Sequence, residues 1–419
     1  MSTPVMDAKT VIVVGAGIVG IGTAIWLARD GHRVTLIDAE GPAAGTSYGN
    51  AGILASSSIV PVQSPGLMRK APGMLFGRDG PLFLKWSYLP RLLPWLRRYL
   101  SYCSVEEVER IAGALMPVIG DSVEQHLAIA KGTPAERFIE PVDYTYAYTD
   151  RAAYLKDALA WRIRREQGFA TIEVEADELR EVEPALGSDT RFGLRLPGHA
   201  WIRDPGAYVG ALCEYAQSLG VELRITRVHD FVRSGERVVG VKTDDGDILS
   251  DEVVVASGVW SKALLEKLSV EVTMESERGY HVELMAPQGG PQMPIALTAY
   301  KFIATPMVGR LRLAGLVEFG GLDAPPSEAP YELLLRKAVA AFPNLRWEGE
   351  KRWLGHRPAT DDSIPVIGQA APGVYAAFGH QHVGLTGGPK TGRIVADLIA
   401  GRRLNLDMTP YDPARFRRG

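Results

Sequence analysis

Val11 to Val14 is an unbroken β-branched run that stops at a cluster of glycines, Ile21 to Arg29 carries apolar positions at helical spacing up to Gly31, and Val34 to Ile37 is apolar again. That succession predicts strand, helix and strand in a βαβ unit. Gly41 to Ser58 is rich in small residues and predicts no regular element, and Gly66 to Ser101 is dense in proline, tryptophan and tyrosine, so the first domain is interrupted there. Helical periodicity returns at Val105 to Lys131 and Ala152 to Gln167, with strand-like stretches beyond them at Tyr144 to Tyr148 and Arg191 to Leu196. Asp204 before Pro205 is an N-cap with proline at the first helical position, opening a helix to Ser218.

Val221 to Ile225, Glu236 to Thr243 and Asp251 to Ala256 then read as strands, and Val270 to Leu316 is mostly strand, including Tyr300 to Thr305 and Arg310 to Leu316. A helix is expected at Glu332 to Ala341, a strand at Val374 to Phe378, a loop at Gly379 to Gly388 and a helix from Thr391 to Ala400. There is no internal repeat. The expected class is α/β, a doubly wound Rossmann-type domain from residues 1–75, 200–268 and 350–419. An antiparallel, helix-flanked α+β substrate domain is inserted twice, as 76–199 and 269–349.

Composition narrows the function. The chain has 419 residues, 46% of them hydrophobic, with 46 basic and 49 acidic residues and a net charge of −3, so nothing global attracts nucleic acid or anionic lipid. Cys103 and Cys213 make no disulfide framework and lack zinc-site spacing, so no metal is expected and a reducing, cytoplasmic compartment is. The stretch Met1 to Thr10 is short and polar, without the look of a signal peptide. No apolar run reaches the roughly 20 residues of a membrane span.

Gly15, Gly17 and Gly20 form G-x-G-x-x-G between a strand and a helix, where the backbone, including Ile18 and Val19, approaches a pyrophosphate. Asp38, followed by Ala39, ends the next strand 23 residues after Gly15, placed to accept from adenosine ribose hydroxyls. A tight turn with no ligand would explain the glycines but not the acid. A second glycine- and hydroxyl-rich loop follows at Thr46, Ser47, Asn50, Ala51, Gly52 and Ile53, which nicotinamide enzymes seldom need. The loop Gly379, His380, Val383, Gly384, Leu385, Thr386 precedes the last long helix, whose positive end suits an anionic reduced flavin. Both ends of the chain serving one cofactor point to FAD, with Val228, Ala256, Gly258 and Trp260 completing the expected site.

Val11 to Gly20, Asn50 to Gly52, Ala256 to Ser261, Arg278 to Tyr280, Gly355 to Pro358 with Ile364 to Gly368, and Gly379-His380 with Val383 to Thr386 together resemble the D-amino-acid oxidase superfamily. Its bacterial D-amino-acid dehydrogenases are the most similar branch. The motifs keep the family's order over nearly the whole chain. The resemblance implies FAD, a p-hydroxybenzoate-hydroxylase-like two-domain fold, and oxidation of an amino acid to an imino acid by hydride transfer to flavin N5. Neither cysteine falls where the sarcosine-oxidase branch tethers its flavin, so the FAD is expected to be non-covalent.

Such chemistry asks the protein for positioning and electrostatics. Arg357 resembles the family's carboxylate-binding arginine, a bidentate donor that a surface arginine would not be. Tyr280 and Tyr300 are candidates to donate to the same carboxylate or cover the side chain, with strand packing as the alternative for each. His382, near an ordinary pKa of about 6.5, is a candidate to keep the substrate amine neutral. His281 and His356 read as structural, and Asp361-Asp362 as a solvated cap. From Gly80 to Val105 there is no acidic residue, while Phe83, Trp86, Tyr88, Trp95, Tyr99 and Tyr102 alternate with Lys85, Arg91, Arg97 and Arg98. That composition fits a peripheral anchor at the inner face of a membrane, next to a quinone acceptor. It fits better a segment packed inside the second domain or covering the substrate entrance, since Pro90 and Pro94 speak against one long amphipathic helix. The leading expectation is a D-amino-acid dehydrogenase with a non-oxygen acceptor. Its rivals are an oxidase or dehydrogenase of glycine, N-methyl or cyclic secondary amino acids (sarcosine, D-proline, hydroxyproline), and a flavin-fold binding module without turnover.

Overall fold

The computed structural model describes residues 8–418, so most of the polar Met1 to Thr10 stretch lies outside it. Strand Thr10–Val14 pairs in parallel with Arg33–Asp38 on one side and Glu252–Val255 on the other. Glu222–Ile225 and Val374–Phe378 extend this sheet in parallel, and Val366–Ala371 closes one edge antiparallel. Central strands of this kind are covered on both faces, which is why they read as unbroken apolar runs. One cover is an antiparallel ribbon of Val228–Ser234, Arg237–Thr243 and Gly246–Leu249, whose Phe231, Val238 and Val241 share a core with Ile12 and Val253. The other is helical, and includes Ile18–Arg29, Pro205–Ser218 and Gly384–Ile399. Asp204 caps Pro205–Ser218 as expected, its carboxylate accepting from the Ala207 amide at 3.1 Å.

Two features of this layer depart from the sequence reading. The stretch Val105 to Lys131 is two helices, Val105–Ile119 and Ser122–Ala130, and their buried Val108, Ile111, Leu115 and Ile129 pack with the dinucleotide-layer helices and not in the inserted domain. An apolar stripe reveals that a helix has a buried face without revealing which layer covers it. The last helix starts at Gly384, seven residues before Thr391, in spite of Pro389. Proline cannot donate to the carbonyl four residues back, that of Leu385. Buried His126 donates from Nε2 to that carbonyl at 2.8 Å while Tyr208 donates to its Nδ1, and Ser122 donates to the next carbonyl, Thr386, at 2.8 Å. Close approach completes the arrangement: a Cβ on Gly392 would meet the Gly22 carbonyl carbon at 2.5 Å, so the first and last long helices touch backbone to backbone.

The second layer is a mixed sheet ordered Gly349–Thr360, Met274–Met285, Arg310–Phe319, Phe302–Met307, Ile295–Leu297, Ile139–Tyr148, Phe192–Ile202, Ile53–Leu54. Helix Glu328–Ala341 covers one face with Leu334 and Ala338 against Val282, Leu284 and Leu313. Gly349–Thr360 pairs along its whole length with Met274–Met285, so the second domain reaches residue 360 and not 349. Its sequence hides the strand because its two faces meet different surroundings, a core on one and an open cavity on the other.

Candidate active site

Between the layers lies a cavity of about 1330 Å³, larger than the roughly 300–1,000 Å³ of an ordinary small-molecule pocket. Every residue nominated for the cofactor lines it except Gly20. Gly20 sits one layer behind, where a Cβ would stand 1.8 Å from the Gly15 carbonyl oxygen, so its part is to seat the helix against the turn. Helix Ile18–Arg29 opens at Gly17 with no side-chain cap of its own; Ser47 Oγ accepts from the Ile18 amide at 2.9 Å. Such an end offers amides and the positive pole of the helix dipole to an anion. Asp38 is more constrained than the sequence suggested, its oxygens accepting from the amides of Ala16, Glu40 and Gly41 at 2.7, 2.9 and 2.9 Å. Carboxylate oxygens have further lone pairs, which leaves room for ribose hydroxyls.

The second loop is held from below by groups the sequence did not single out. Arg312 is fully buried and donates to the carbonyls of Tyr48 and Asn50 at 2.7 Å each, and to Glu283 at 2.6 Å. Burial pushes Glu283 upward, but Arg312 and Arg310 outweigh it and bring its carboxyl down to about 2. His281 donates from Nδ1 to the Gly49 carbonyl at 3.0 Å and stacks on Trp353, the structural part expected of it. His356 likewise pairs with Ser276 Oγ at 2.9 Å. Helix Gly384–Ile399 also begins without a side-chain cap, and its first turn faces the same cavity. Two uncapped helix ends, a carboxylate beyond the first and a glycine-rich loop between them fit FAD. When bound, FAD supplies the two-electron chemistry that no side chain here can.

The far end of the cavity holds Arg357, the residue nominated for the substrate carboxylate. Arg357 and Glu277 are directly paired across neighbouring strands, so their side chains share a face. The Arg357 guanidinium folds over Gly279, whose missing side chain makes the space: a Cβ there would be 2.6 Å from Cζ. Among the described residues it has no hydrogen-bond or ion-pair partner. Helix Leu89–Ser101 closes the far end with Leu92, Trp95 and Tyr99 over Phe319, and Trp95 donates to the Ala359 carbonyl at 3.1 Å. The two prolines do not prevent this helix: Pro90 sits in its first turn and Pro94 is accommodated within it. The aromatic segment is therefore a cover on its inner face, while Trp86 and Leu93 remain exposed.

Four expectations change. Tyr280 neighbours Gly279 on the strand and must point to the opposite face; its hydroxyl donates to Glu318 at 2.7 Å and accepts from the Ser327 amide, against Tyr331. Tyr300 lies outside the cavity with its hydroxyl on the Ala340 carbonyl at 3.4 Å. His382 opens onto the cavity as expected, and the surrounding protein and the Arg357 charge push its pKa below the ordinary value, which makes it a weaker proton acceptor than a free imidazole. Asp361 and Asp362 are buried, paired with Arg98 and Arg415 at 2.7 Å each. Burial and Asp362 push Asp361 up to about 6. His380 pairs with Thr391 Oγ1 at 2.8 Å inside the last helix, as a support. Glu277 was missed altogether; its only sequence signal is its place two residues before Gly279.

Gly279→Ala tests the seat of Arg357. The added methyl must displace the guanidinium, so substrate KM should rise about tenfold or more through the disturbed bidentate contact. Unchanged KM in the folded, flavin-loaded variant would show that Arg357 does not work from this position.

Fold and site together define an FAD-binding oxidoreductase. The chain belongs to the FAD dependent oxidoreductase (DAO) family, whose model matches residues 10–398. It is 39% identical to a D-amino-acid oxidase of Bradyrhizobium diazoefficiens over 98% of this chain and 99% of that one. It is 32% identical to D-amino acid dehydrogenase 2 of Ralstonia nicotianae over 97% and 100%. Among solved structures, glycine oxidase from Geobacillus kaustophilus has the same fold at TM-score 0.74 and 23% identity, covering 97% of this chain and 99% of that one. L-proline dehydrogenase from P. horikoshii matches at TM-score 0.74 and 21% identity, covering 99% of each.

Proposed function

We propose that the protein oxidises D-amino acids at the Cα–N bond to imino acids, which water converts to 2-oxo acids. The two electrons pass to the bound FAD and then to a non-oxygen acceptor such as a quinone. The observation that carries this reading is the unpartnered Arg357 guanidinium at the substrate end of an FAD-sized cavity. The relatives' names, a D-amino-acid oxidase and a D-amino acid dehydrogenase, agree with the substrate class and differ on the acceptor. Arg357 holds the substrate carboxylate in a two-pronged contact. Trp95, Tyr99 and Phe319 exclude water around the side chain. His382, open to the cavity, is placed to hydrogen-bond the amine or the product. For the acceptor, Phe76 and Trp86 stack at 5.8 Å at the cavity mouth and are 71% and 57% exposed. With Arg69, Lys70, Lys85 and Arg91 on the same stretch of chain, they support an apolar quinone drawn from an anionic membrane surface. No helix among the described residues is long and apolar enough to cross a membrane.

Anaerobic titration tests the reaction: D-alanine and other D-amino acids should bleach the flavin and their L partners should not. Glycine, sarcosine, D-proline and hydroxyproline belong in the same panel. Bleaching by both enantiomers alike, or by neither, would end the proposal. Acid precipitation of the same sample should release the flavin, since neither cysteine lines the cavity. Faster reoxidation by a short-chain quinone than by air would identify the acceptor.

A further inference from the structure

The cavity's lining includes three carboxylates. Asp38 and Glu40 belong to the ribose end; Glu277 stands alone at the substrate end. Its side chain is 8% exposed, and it has no hydrogen-bond or ion-pair partner among the described residues. A buried carboxylate without a partner is costly. The charge opposite, Arg357, does not neutralise it by contact, because its guanidinium is folded away over Gly279.

We infer that Glu277 is a specificity residue that binds a cationic group at the far end of the substrate's side chain, so the pocket takes amino acids with basic side chains. This rests on the proposed reaction and names its substrate class. The strand geometry and the pocket wall favour it. Gly279 and Glu277 are two residues apart on one face of a strand, a repeat of roughly 6.6 Å. An α-ammonium is tied by one carbon to the carboxylate that Arg357 holds, whereas a cation at the end of several methylenes is free to approach Glu277 along the pocket wall. The wall alongside is suited to those methylenes. Leu92, Trp95, Tyr99 and Phe319 form it, and the two aromatic rings of the helix can face a cation as well. Burial raises the Glu277 carboxyl while Arg357 opposes the rise, so the pair is best tested in mildly alkaline buffer, where the carboxylate is ionised and an alkyl ammonium still charged.

The test uses ligands that have no α-amine and cannot be oxidised. The flavin-loaded protein is titrated with 4-aminobutanoate, 5-aminopentanoate and 6-aminohexanoate, and with butanoate, pentanoate and hexanoate, following the flavin's visible spectrum. At one chain length the amino form should bind about tenfold tighter than the plain acid, the reverse of what an apolar pocket would do. Glu277→Gln should bring that ratio to about one or below. Plain acids binding as well as or better than their amino forms at every length would overturn the inference, as would a ratio untouched by the substitution. If the variant does not fold, the wild-type ratio decides alone. Failure of the proposed reaction shows separately, as D-norleucine and D-lysine both leaving the flavin oxidised, because equilibrium binding needs no turnover.

Discussion

Arg357→Ala should lower kcat/KM for carboxylate substrates by about 30- to 5,000-fold, while the protein still purifies with its full complement of flavin. The range follows from truncating one partner of a desolvated, hydrogen-bonded charge pair, which costs about 2–5 kcal/mol. The substitution also removes the cation that opposes the rise of the Glu277 carboxyl, so burial should raise that carboxyl further. Arg357→Lys is the sharper variant. It keeps the charge and loses the planar fork, so single-turnover reduction at saturating substrate should still be slow. A lysine variant reduced as fast as wild type would mean that Coulomb attraction alone suffices and that Arg357 does not orient Cα.

The second large effect is expected at Arg312, which never meets the substrate. Arg312→Met leaves the Tyr48 and Asn50 carbonyls and one side of Glu283 without their donor, and breaking a buried pair in this way costs about 3–5 kcal/mol. The melting temperature should fall by several degrees, and flavin should be lost on gel filtration because the second loop loses its anchor. Acid adds an independent signature. Glu283 has its carboxyl lowered to about 2 from an ordinary 4.5, so its share of stability is present above pH 4.5 and disappears as pH falls toward 2. Wild type should lose stability across that window, and the Met variant should show a shallower loss there. Equal slopes in denaturant titrations at graded pH would contradict the ion-pair account.

What the sequence disclosed was local, and what it concealed depended on pairing. The strand, glycine turn and helix from Thr10 to Arg29 are specified by consecutive residues, as is the Asp204-Pro205 helix start. Glu277 was invisible because its neighbour in space, Arg357, is 80 residues away and only strand register brings them together. Tyr280 misled for a related reason: adjacency to a motif glycine suggests the site, whereas strand alternation sends it to the other face. The start of the last helix was hidden because Pro389 is a valid stop signal, overridden by His126 and Ser122 from a helix more than two hundred residues earlier. These are tertiary decisions, and no window of one sequence contains them.

The backbone contact between Gly22 and Gly392 also governs when the protein can become active. Helix Ile18–Arg29 is made well before Gly384–Ile399, so at about 5–20 residues per second they are separated by roughly 20–70 s of synthesis. Throughout that interval the nascent chain has half of an anion-binding cradle and an uncovered face of Val, Ile and Leu. Such a face is what chaperones bind. Flavin capture therefore belongs after synthesis of Gly384–Ile399, and ribosome stalling before that helix or loss of the helix should yield colourless protein however much FAD the cell contains.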